Sequence, residues 1–293
     1  MRVGLNVWPG HEPFLLARSL GYYDGQPIRL VDFPSSVEVI RAYRNGAIDA
    51  AALTADEALL VAESQPNQRI VLVIDFSKGA DAILARPPFA SMTDLKGRRI
   101  GLEPGALGAL MLARALELAK MSASEVTAVP VPLAEHESAY ASGQVDAVVT
   151  FEPRRSRLLA AGARQVFDSS QIPGEVVDVL LARGEWAETD MAALTGLVQG
   201  WFRALDYLKR NPADAGRRMA PREQVRPEAF LKSLEGLALP DRAANLNMLG
   251  PPTTNLVRPL RRLAAVMTQN KLLSRPVDPA TLPDDRAVRQ GTR

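Results

Sequence analysis

The chain carries the same short pattern twice, 97 positions apart. Asn45-Gly-Ala-Ile-Asp-Ala-Ala-Ala-Leu-Thr54 and Ser142-Gly-Gln-Val-Asp-Ala-Val-Val-Thr-Phe-Glu-Pro153 both place a glycine after a helical pattern, an aspartate three residues later, and then small apolar residues. The same offset relates Arg2-Val-Gly-Leu-Asn6 to Arg99-Ile-Gly-Leu-Glu103. Two matches at one spacing predict two lobes built on one plan, whose paired strand ends face each other across a cleft. A coincidence of short motifs is the alternative.

Composition excludes several classes of function. The 293 residues are enough for two domains, each with its own core. A net charge of +2, from 35 basic and 33 acidic residues without basic runs, gives no reason to expect nucleic-acid binding. No apolar run approaches the roughly 18 residues that a membrane helix requires. With no cysteine and two histidines, the chain has little material for a metal site or a nucleophilic triad, and we expect no cofactor.

Strand and helix patterns alternate over the first two thirds of the chain, which predicts α/β lobes with mainly parallel sheets flanked by helices. The capping-box pattern Ser35-Ser-Val-Glu38 predicts the start of one helix. A β-branched strand at 176–182 is expected to carry the chain back to the first lobe. The predicted lobes are residues 1–82 with 180–293, and residues 83–179.

The last third reads as helical. The long helix over 191–211 is predicted to bury one face, and a later helix over 256–273 to be interrupted or kinked at Pro259. The final fifteen residues are expected to form a loosely attached tail. The chain begins in a strand pattern without a secretion signal, so we expect either a cytosolic protein or the mature form of an exported one.

Several motifs in this order resemble the NitT/TauT-type (NMT1/THI5-like) substrate-binding proteins of ABC importers, which include sulfonate-, nitrate- and thiamine-precursor-binding members. The motifs are Trp8-Pro9-Gly10, Gly46-x-x-Asp49, Ser77-x-Gly-Ala-Asp81, Asp94-Leu-Lys-Gly97-x-x-Ile-Gly101 and Gly143-x-Val-Asp-Ala147 followed by Phe-Glu-Pro153. The resemblance implies a two-lobed periplasmic-binding-protein fold (type II) with two crossover hinge segments. It also implies a ligand clamped by hinge closure.

Ligands of open parallel sheets bind outside the carboxyl ends of the strands, beside helix N-termini. We therefore predict ligand contacts from the residues that follow the strands. These are Asn6, Trp8, Ser35, Ser36, Thr54, Asp56, Phe76, Gly105, Ala106, Glu135, Phe151, Glu152 and Asp178.

Several candidates also have a purely structural interpretation. Trp8 either stacks on a flat ligand or packs under its turn, and Phe151 is an aromatic of the core unless it faces the ligand. Ser35 and Thr54 sit where helix caps belong, with Asp56 in the first helical turn. His136, flanked by Glu135 and Glu137, is interpreted as a solvated helix start rather than a metal or acid–base site.

Carboxylates outnumber cations near the predicted strand ends. A site for nitrate or a sulfonate would present Arg, Lys or hydroxyl groups. The excess of carboxylates therefore favours a neutral or amine-bearing ligand, such as a heterocycle that stacks on Trp8. This departs from the anion-binding branch of the family.

The leading functional hypothesis is an extracytoplasmic, monomeric receptor that delivers a small organic molecule to an ABC permease without chemical change. An enzyme on the same fold, resembling pyrimidine synthases or menaquinone-pathway enzymes, is the alternative, with Glu152 as a candidate base. The pyrimidine synthases carry a cysteine-rich motif that this chain lacks. A ligand-sensing domain of a signalling receptor is a third hypothesis.

Overall fold

The structure, a computed structural model, describes residues 1–251 and 254–290. The chain folds into two compact units, Met1–Phe76 with Val177–Arg293, and Ser77–Val176. The boundaries predicted from the sequence lie instead after residues 82 and 179. In the structure Asp81 and Ala82 pair with Phe151 and Thr150, so the strand that begins at Asp81 lies in the second unit.

Strands and helices alternate along the first stretch, as predicted. A 3-10 turn, Pro9–His11, precedes the first helix. The elements are β1 (Arg2–Leu5), α1 (Glu12–Ser19), β2 (Arg29–Asp32), α2 (Ser36–Arg44), β3 (Ala50–Thr54), α3 (Ala55–Ser64) and β4 (Gln68–Ser77).

The second unit repeats this alternation in one continuous stretch. Its elements are β5 (Asp81–Ala85), β6 (Arg99–Leu102), α4 (Ala106–Leu118), β7 (Thr127–Pro130), α5 (His136–Ser142), β8 (Ala147–Phe151), α6 (Arg154–Ala160) and β9 (Arg164–Asp168).

The chain then returns to the first unit through a strand and continues mainly as helices. These elements are β10 (Val177–Arg183), α7 (Gly184–Thr189), α8 (Met191–Arg210), α9 (Pro212–Glu223), α10 (Pro227–Ser233), β11 (Leu237–Ala238), α11 (Arg242–Leu249), α12 (Val257–Gln269) and α13 (Arg286–Arg289).

Both sheets have the same strand order. The first runs β2-β1-β3-β10-β4, with β11 outside β4, and the second runs β7-β6-β8-β5-β9. β1 is parallel to β2 and β3, and β6 is parallel to β7 and β8. One reversed strand, β10 or β5, lies at the same place in each sheet. The duplication predicted from the repeated motif is therefore confirmed.

The repeated motif forms the same ion pair in each unit. Asp49 accepts hydrogen bonds from the backbone N–H of Arg2 at 2.7 Å and from its guanidinium at 2.7 Å. Asp146 accepts from the backbone N–H of Arg99 at 2.9 Å and from its guanidinium at 3.3 Å. In both units the same guanidinium also donates to the carbonyl of the glycine that ends the preceding helix. The pair ties the beginning of one strand to the segment that leads into its neighbour.

The two glycines of the motif are required by their backbone conformation. Gly46 has φ of +73° and Gly143 has φ of +79°, a left-handed region that other residues rarely adopt. Each glycine follows a helix, α2 or α5, and turns the chain toward the next strand. The left-handed turn brings the glycine carbonyl within reach of the arginine.

A second contact is also duplicated. Arg183, at the end of β10, donates to the carbonyl of Tyr43 and lies over its ring at 4.6 Å. Arg86, directly after β5, donates to the carbonyl of Tyr140 and lies over its ring at 5.3 Å. Each arginine therefore joins the reversed strand to a helix of its own unit.

The cores are built from the apolar faces of these elements. In the second unit Ile83, Ile100 and Val149 of the sheet pack with Met111 of α4. In the first unit α1 packs on α8, where the ring centroids of Phe14 and Trp201 are 4.5 Å apart. Burial of each large side chain contributes about 1.5–3 kcal/mol. The predicted buried face of α8 is confirmed from Leu194 to Leu205.

The expectation of a loose C-terminal tail is wrong for residues 279–290, and residues 291–293 lie outside the described residues. Ile70 of β4 donates to the carbonyl of Leu282 at 2.7 Å and accepts from the N–H of Asp284 at 2.9 Å. Ala287 and Val288 of α13 are buried. The polar composition of this segment gave no indication of these contacts, because they are made by backbone groups and by two small apolar residues. Pro259 does not interrupt α12 either, since it lies in the first turn, where its missing N–H has no helical partner.

We expect Asp49→Ala to lower the free energy of unfolding by about 1–3 kcal/mol, because it leaves the N–H of Arg2 without its acceptor. Asp146→Ala should cost less, since the Asp146 side chain is 19% exposed against 8% for Asp49. Glu38→Ala, which breaks the exposed pair with Arg41, is the control and should change stability by at most about 0.5 kcal/mol. Urea denaturation checks all three.

The pH dependence gives a second criterion for the same variants. Burial raises the pKa of Asp49, but the hydrogen bonds and charge of Arg2 outweigh burial and hold that pKa below its usual value. A lowered folded-state pKa stabilises the protein above the unfolded pKa, and this stability is lost as the pH falls. The difference between wild type and Asp49→Ala should therefore shrink in acid. A difference that grows in acid would contradict this assignment.

Candidate functional site

The predicted site residues of the first unit lie at one edge of its sheet. Asn6 follows β1, Ser35 and Ser36 follow β2, and Thr54 ends β3. Asp178, at the beginning of the reversed strand β10, lies opposite Thr54 on one side and Asp75 on the other. Directly opposed residues of antiparallel strands have their side chains on the same face, roughly 5 Å apart. Polar groups from five strands therefore meet at this edge.

One short turn reaches two of these carboxylates. Trp8 Nε1 donates to Asp75 Oδ2 at 2.9 Å, and His11 Nε2 lies 3.2 Å from Asp178 Oδ1. The other ring nitrogen of His11, Nδ1, lies 3.3 Å from the carbonyl oxygen of Asn6. All four side chains are buried, as is Asn6. The segment Trp8–His11 thus contacts the end of the sheet and holds two of its acidic residues, Asp75 and Asp178, in place.

Gly10 is needed because of this close approach. A Cβ at position 10 would lie 1.8 Å from Asp75 Oδ2 and 2.5 Å from Trp8 Nε1. No side chain fits there unless the Trp8–Asp75 hydrogen bond moves.

The structure favours the packing interpretation of Trp8. Its side chain is 4% exposed and its N–H is committed to Asp75. Trp8 therefore positions Asp75, and its contact with a ligand stays a prediction.

The helix start predicted from the Ser35–Glu38 pattern is confirmed, because α2 begins at Ser36 with Ser35 as its N-cap, but the capping-box hydrogen bonds are not formed. Among the described residues no side-chain hydrogen bond caps α2 at Ser35, and Glu38 pairs with Arg41 instead. Ser36 Oγ donates to Glu57 Oε1 at 2.5 Å, and the backbone N–H of Thr54 donates to Glu57 Oε2 at 3.1 Å. Glu57, the third residue of α3, therefore accepts hydrogen bonds from the segment after β2 and from the end of β3.

Two buried acidic residues, Glu12 and Glu57, belong to the helices that follow β1 and β3. Burial raises the pKa of Glu57, against hydrogen bonds from Ser36 and Thr54 that lower it. Burial also raises the pKa of Glu12 to about 7, although the charge and hydrogen bond of Arg222 oppose the shift. Arg222 of α9 bridges Glu12 and Asp32. Glu12, Glu57 and Arg222 are not among the residues predicted from the sequence. Arg222 could not be predicted because 210 positions separate it from Glu12.

The predicted residues of the second unit have more varied environments. Phe151 is half-buried and lies opposite Asp81, and Gly105 is the half-buried N-cap of α4. Glu152 is buried, and its carboxylate accepts from Arg155 at 2.9 Å and from the N–H and Oγ of Ser156 at 3.2 and 2.9 Å. Glu135 is exposed before α5. The side chain of Ala106 lies outside the described residues.

The interpretation of His136 as a solvated residue is wrong. The ring is 1% exposed, with Nδ1 3.2 Å from Thr150 Oγ1 and Nε2 3.2 Å from the carbonyl oxygen of Val131. Burial lowers the pKa of His136 to about 4, so its ring is neutral at pH 7. It joins α5 to β8 and to the loop before α5. The prediction failed because the acidic neighbours of His136 in sequence face other directions: Glu135 is exposed and Glu137 pairs with Arg157.

Three carboxylates at the strand ends already have partners inside the protein. Asp75 is bound by Trp8, Asp178 by His11, and Glu152 by Arg155 and Ser156. The remaining candidates of the first unit, Asp56 and Phe76, are buried and half-buried. The number of acidic residues near the strand ends therefore does not measure the negative charge that a ligand would meet.

In the described part of the chain, no group of three or more His, Asp or Glu side chains is arranged to hold a metal ion. None of the helices in that part combines the length and apolarity needed to cross a membrane.

The model of the NMT1-like family matches residues 1–221, which contain both copies of the repeated motif. The chain belongs to the NMT1-like family. The resemblance stated from the motifs is thereby confirmed.

The proteins similar to this NMT1-like chain in sequence or in fold include binding proteins, and one protein of similar fold is an enzyme. A protein of Escherichia coli (strain K12), named as a candidate aliphatic sulfonates-binding protein, is 26% identical over 87% of this chain and 79% of its own length. The alkanesulfonate-binding protein SsuA from Xanthomonas axonopodis pv. citri, solved bound to MOPS, has a TM-score of 0.82, 20% identity, and 96% coverage of both chains.

The enzyme is the desulfurization enzyme DSZB, with a TM-score of 0.72, 16% identity, and coverage of 99% of this chain and 98% of its own. The solved structures confirm the predicted periplasmic-binding-protein fold. Because an enzyme shares this fold, the fold alone does not distinguish binding from catalysis.

We expect Trp8→Phe to destabilise the protein by about 1–3 kcal/mol more than Trp201→Phe. Both variants shrink a buried ring, but only Trp8 loses a hydrogen bond. The Nε1 of Trp201 has no hydrogen-bond partner among the described residues. Urea denaturation of both variants measures the difference, and equal losses would show that the Trp8–Asp75 bond contributes nothing.

We expect Glu12→Gln to change how stability depends on pH. A pKa raised to about 7 in the folded state gives stability that is complete below the unfolded pKa and lost as the pH rises through 7. Wild type should therefore lose stability relative to Glu12→Gln between pH 5 and pH 9 in thermal melts. Glu185→Gln, at an exposed position in α7, is the control and should follow wild type.

Proposed function

We propose that the protein is a solute-binding component of an ABC import system that holds a small organic molecule at the carboxyl ends of its strands. The observation that carries the proposal is the duplicated sheet with identical strand order, whose polar strand ends are preorganised by internal hydrogen bonds. Such edges are where open parallel sheets bind ligands. Membership of the NMT1-like family and similarity to named binding proteins support it.

We propose a small organic anion of the sulfonate type as the ligand. Two of the similar proteins are named as sulfonate-binding proteins. The contrary expectation of an amine rested on the number of carboxylates, and those of Asp75, Asp178 and Glu152 are occupied by internal partners. Helices α3 and α4 begin at strand ends, where backbone N–H groups and the helix dipole favour negative charge.

The family resemblance supports the remaining parts of the proposal. They are an extracytoplasmic location, a membrane permease as partner, and a monomeric receptor. Capture by hinge closure stays a prediction from the resemblance. The alternative of a sensing domain would use the same site and would differ only in its partner.

Catalysis is the second candidate function, because the desulfurization enzyme DSZB has the same fold. The side chain proposed as a base, Glu152, accepts from Arg155 and from Ser156 in this chain. These hydrogen bonds direct the carboxylate of Glu152 to α6. They favour a structural role for Glu152, and therefore binding over catalysis.

We expect butanesulfonate to bind with a dissociation constant in the micromolar range, equivalent to about −8 kcal/mol, and butylamine to bind at least tenfold more weakly. Isothermal titration calorimetry measures both, and mass spectrometry of the recovered ligand tests for chemical change. Preference for butylamine would refute the sulfonate class. Appearance of a product would refute the binding function.

Variants locate the site in the same experiment. Asn6→Ala changes the carboxyl end of β1 and should weaken butanesulfonate binding. Arg29→Ala changes an exposed residue at the opposite end of β2 and should not. Equal effects of the two variants would contradict a site at the carboxyl ends.

A further inference from the structure

Both ring nitrogens of His11 face hydrogen-bond acceptors. Nδ1 lies 3.3 Å from the carbonyl oxygen of Asn6, which accepts only, and Nε2 lies 3.2 Å from the carboxylate oxygen of Asp178. His11 is 1% exposed and Asp178 is 4% exposed, so water is largely excluded from this contact.

The contact cannot be satisfied by a neutral imidazole beside an ionised carboxylate. A neutral ring carries one N–H, which leaves its second nitrogen with a lone pair directed at an oxygen lone pair. One additional proton removes the conflict. With that proton, the pair is either an imidazolium facing a carboxylate or a neutral imidazole that accepts a hydrogen bond from a carboxylic acid.

The surroundings favour the carboxylic acid form. Burial lowers the pKa of His11 to about 3; the Asn6 carbonyl and the Glu57 charge oppose the shift, and the Arg222 charge adds to it. Asp75 lies opposite Asp178 on the neighbouring strand β4. A buried carboxyl group beside a second carboxylate is the arrangement in which the neutral acid is favoured.

We propose that His11 and Asp178 share one proton at neutral pH, so that the pair is uncharged and the strand ends of the first unit accept an anionic ligand. The statement about the ligand rests on the proposed function, and the statement about the proton does not. In this arrangement the Asp178 O–H donates to His11 Nε2, while His11 Nδ1–H donates to Asn6. Asp178 then adds no net charge to the edge that it shares with Thr54.

His136 supplies an internal reference. Its Nε2 faces a carbonyl, but its Nδ1 faces the hydroxyl of Thr150, which can donate. A single neutral tautomer, with the proton on Nε2, satisfies both contacts. The chain contains two histidines, so a nitrogen-15 spectrum of its imidazoles reports on this pair of residues and no others.

Nitrogen-15 spectra of the ligand-free protein at pH 7 test the shared proton, with carbon-13 spectra to report the Asp178 carboxyl group. His136 should show a proton on Nε2 alone. His11 should show a proton on Nδ1 with Asp178 in the acid form, or protons on both nitrogens with Asp178 ionised. A neutral His11 ring beside an ionised Asp178, in either tautomer, would overturn the proposal.

Titration of butanesulfonate from pH 6 to pH 10 tests the consequence for binding. Loss of the proton leaves a negative charge at the site, so affinity in wild type should fall about tenfold or more. Asp178→Asn keeps a neutral donor toward His11 Nε2 and should vary less than about twofold over the same range. Equal pH dependence in the two proteins would overturn the link between the proton and the ligand.

The two measurements separate the possible failures. Absence of butanesulfonate binding at every pH would refute both the sulfonate ligand and the anionic site, while the spectra would still decide the shared proton. Chemical shifts of Asp178→Asn that match wild type outside the strand ends would show that this variant is folded.

Discussion

An aspartate that holds both the backbone and the side chain of an arginine underlies the fold of each unit. Asp49 fastens the beginning of β1 to the segment that leads into β3, and Asp146 does the same for β6 and β8. Parallel strands are joined by long connections, so their register has no tight turn to fix it. Pairing at the amino ends aligns the strands, and the side chains at their carboxyl ends come together as a result.

The repeated motif allowed much of the fold to be predicted from the sequence. The alternation of strands and helices, the two sheets and the buried face of α8 all follow from short-range patterns. The site was only partly predictable. The sequence pattern predicted which residues follow the strands. It did not predict the His11–Asp178 contact, which joins positions 167 apart. It also did not predict that Ser36, next to the capping-box residue Ser35, donates to Glu57. Local patterns do not report such distant partners.

The acidic residues illustrate why counting charges misleads at a buried edge. A carboxylate in the interior is tolerated only when hydrogen bonds or a proton compensate for lost water. Asp75, Asp178 and Glu152 therefore each come with a partner from elsewhere in the chain. What a ligand encounters is the charge of each carboxylate together with its partner.

The contact between Leu282, Asp284 and Ile70 of β4 has a consequence for the order of folding. The second unit is one continuous stretch, 77–176, and all its strands are available once that stretch has left the ribosome. The first sheet instead takes β10 and the pairing segment at 282–284 from beyond that stretch. We therefore expect this sheet to be completed after the strands of the second unit, because its own strands are far apart in the chain.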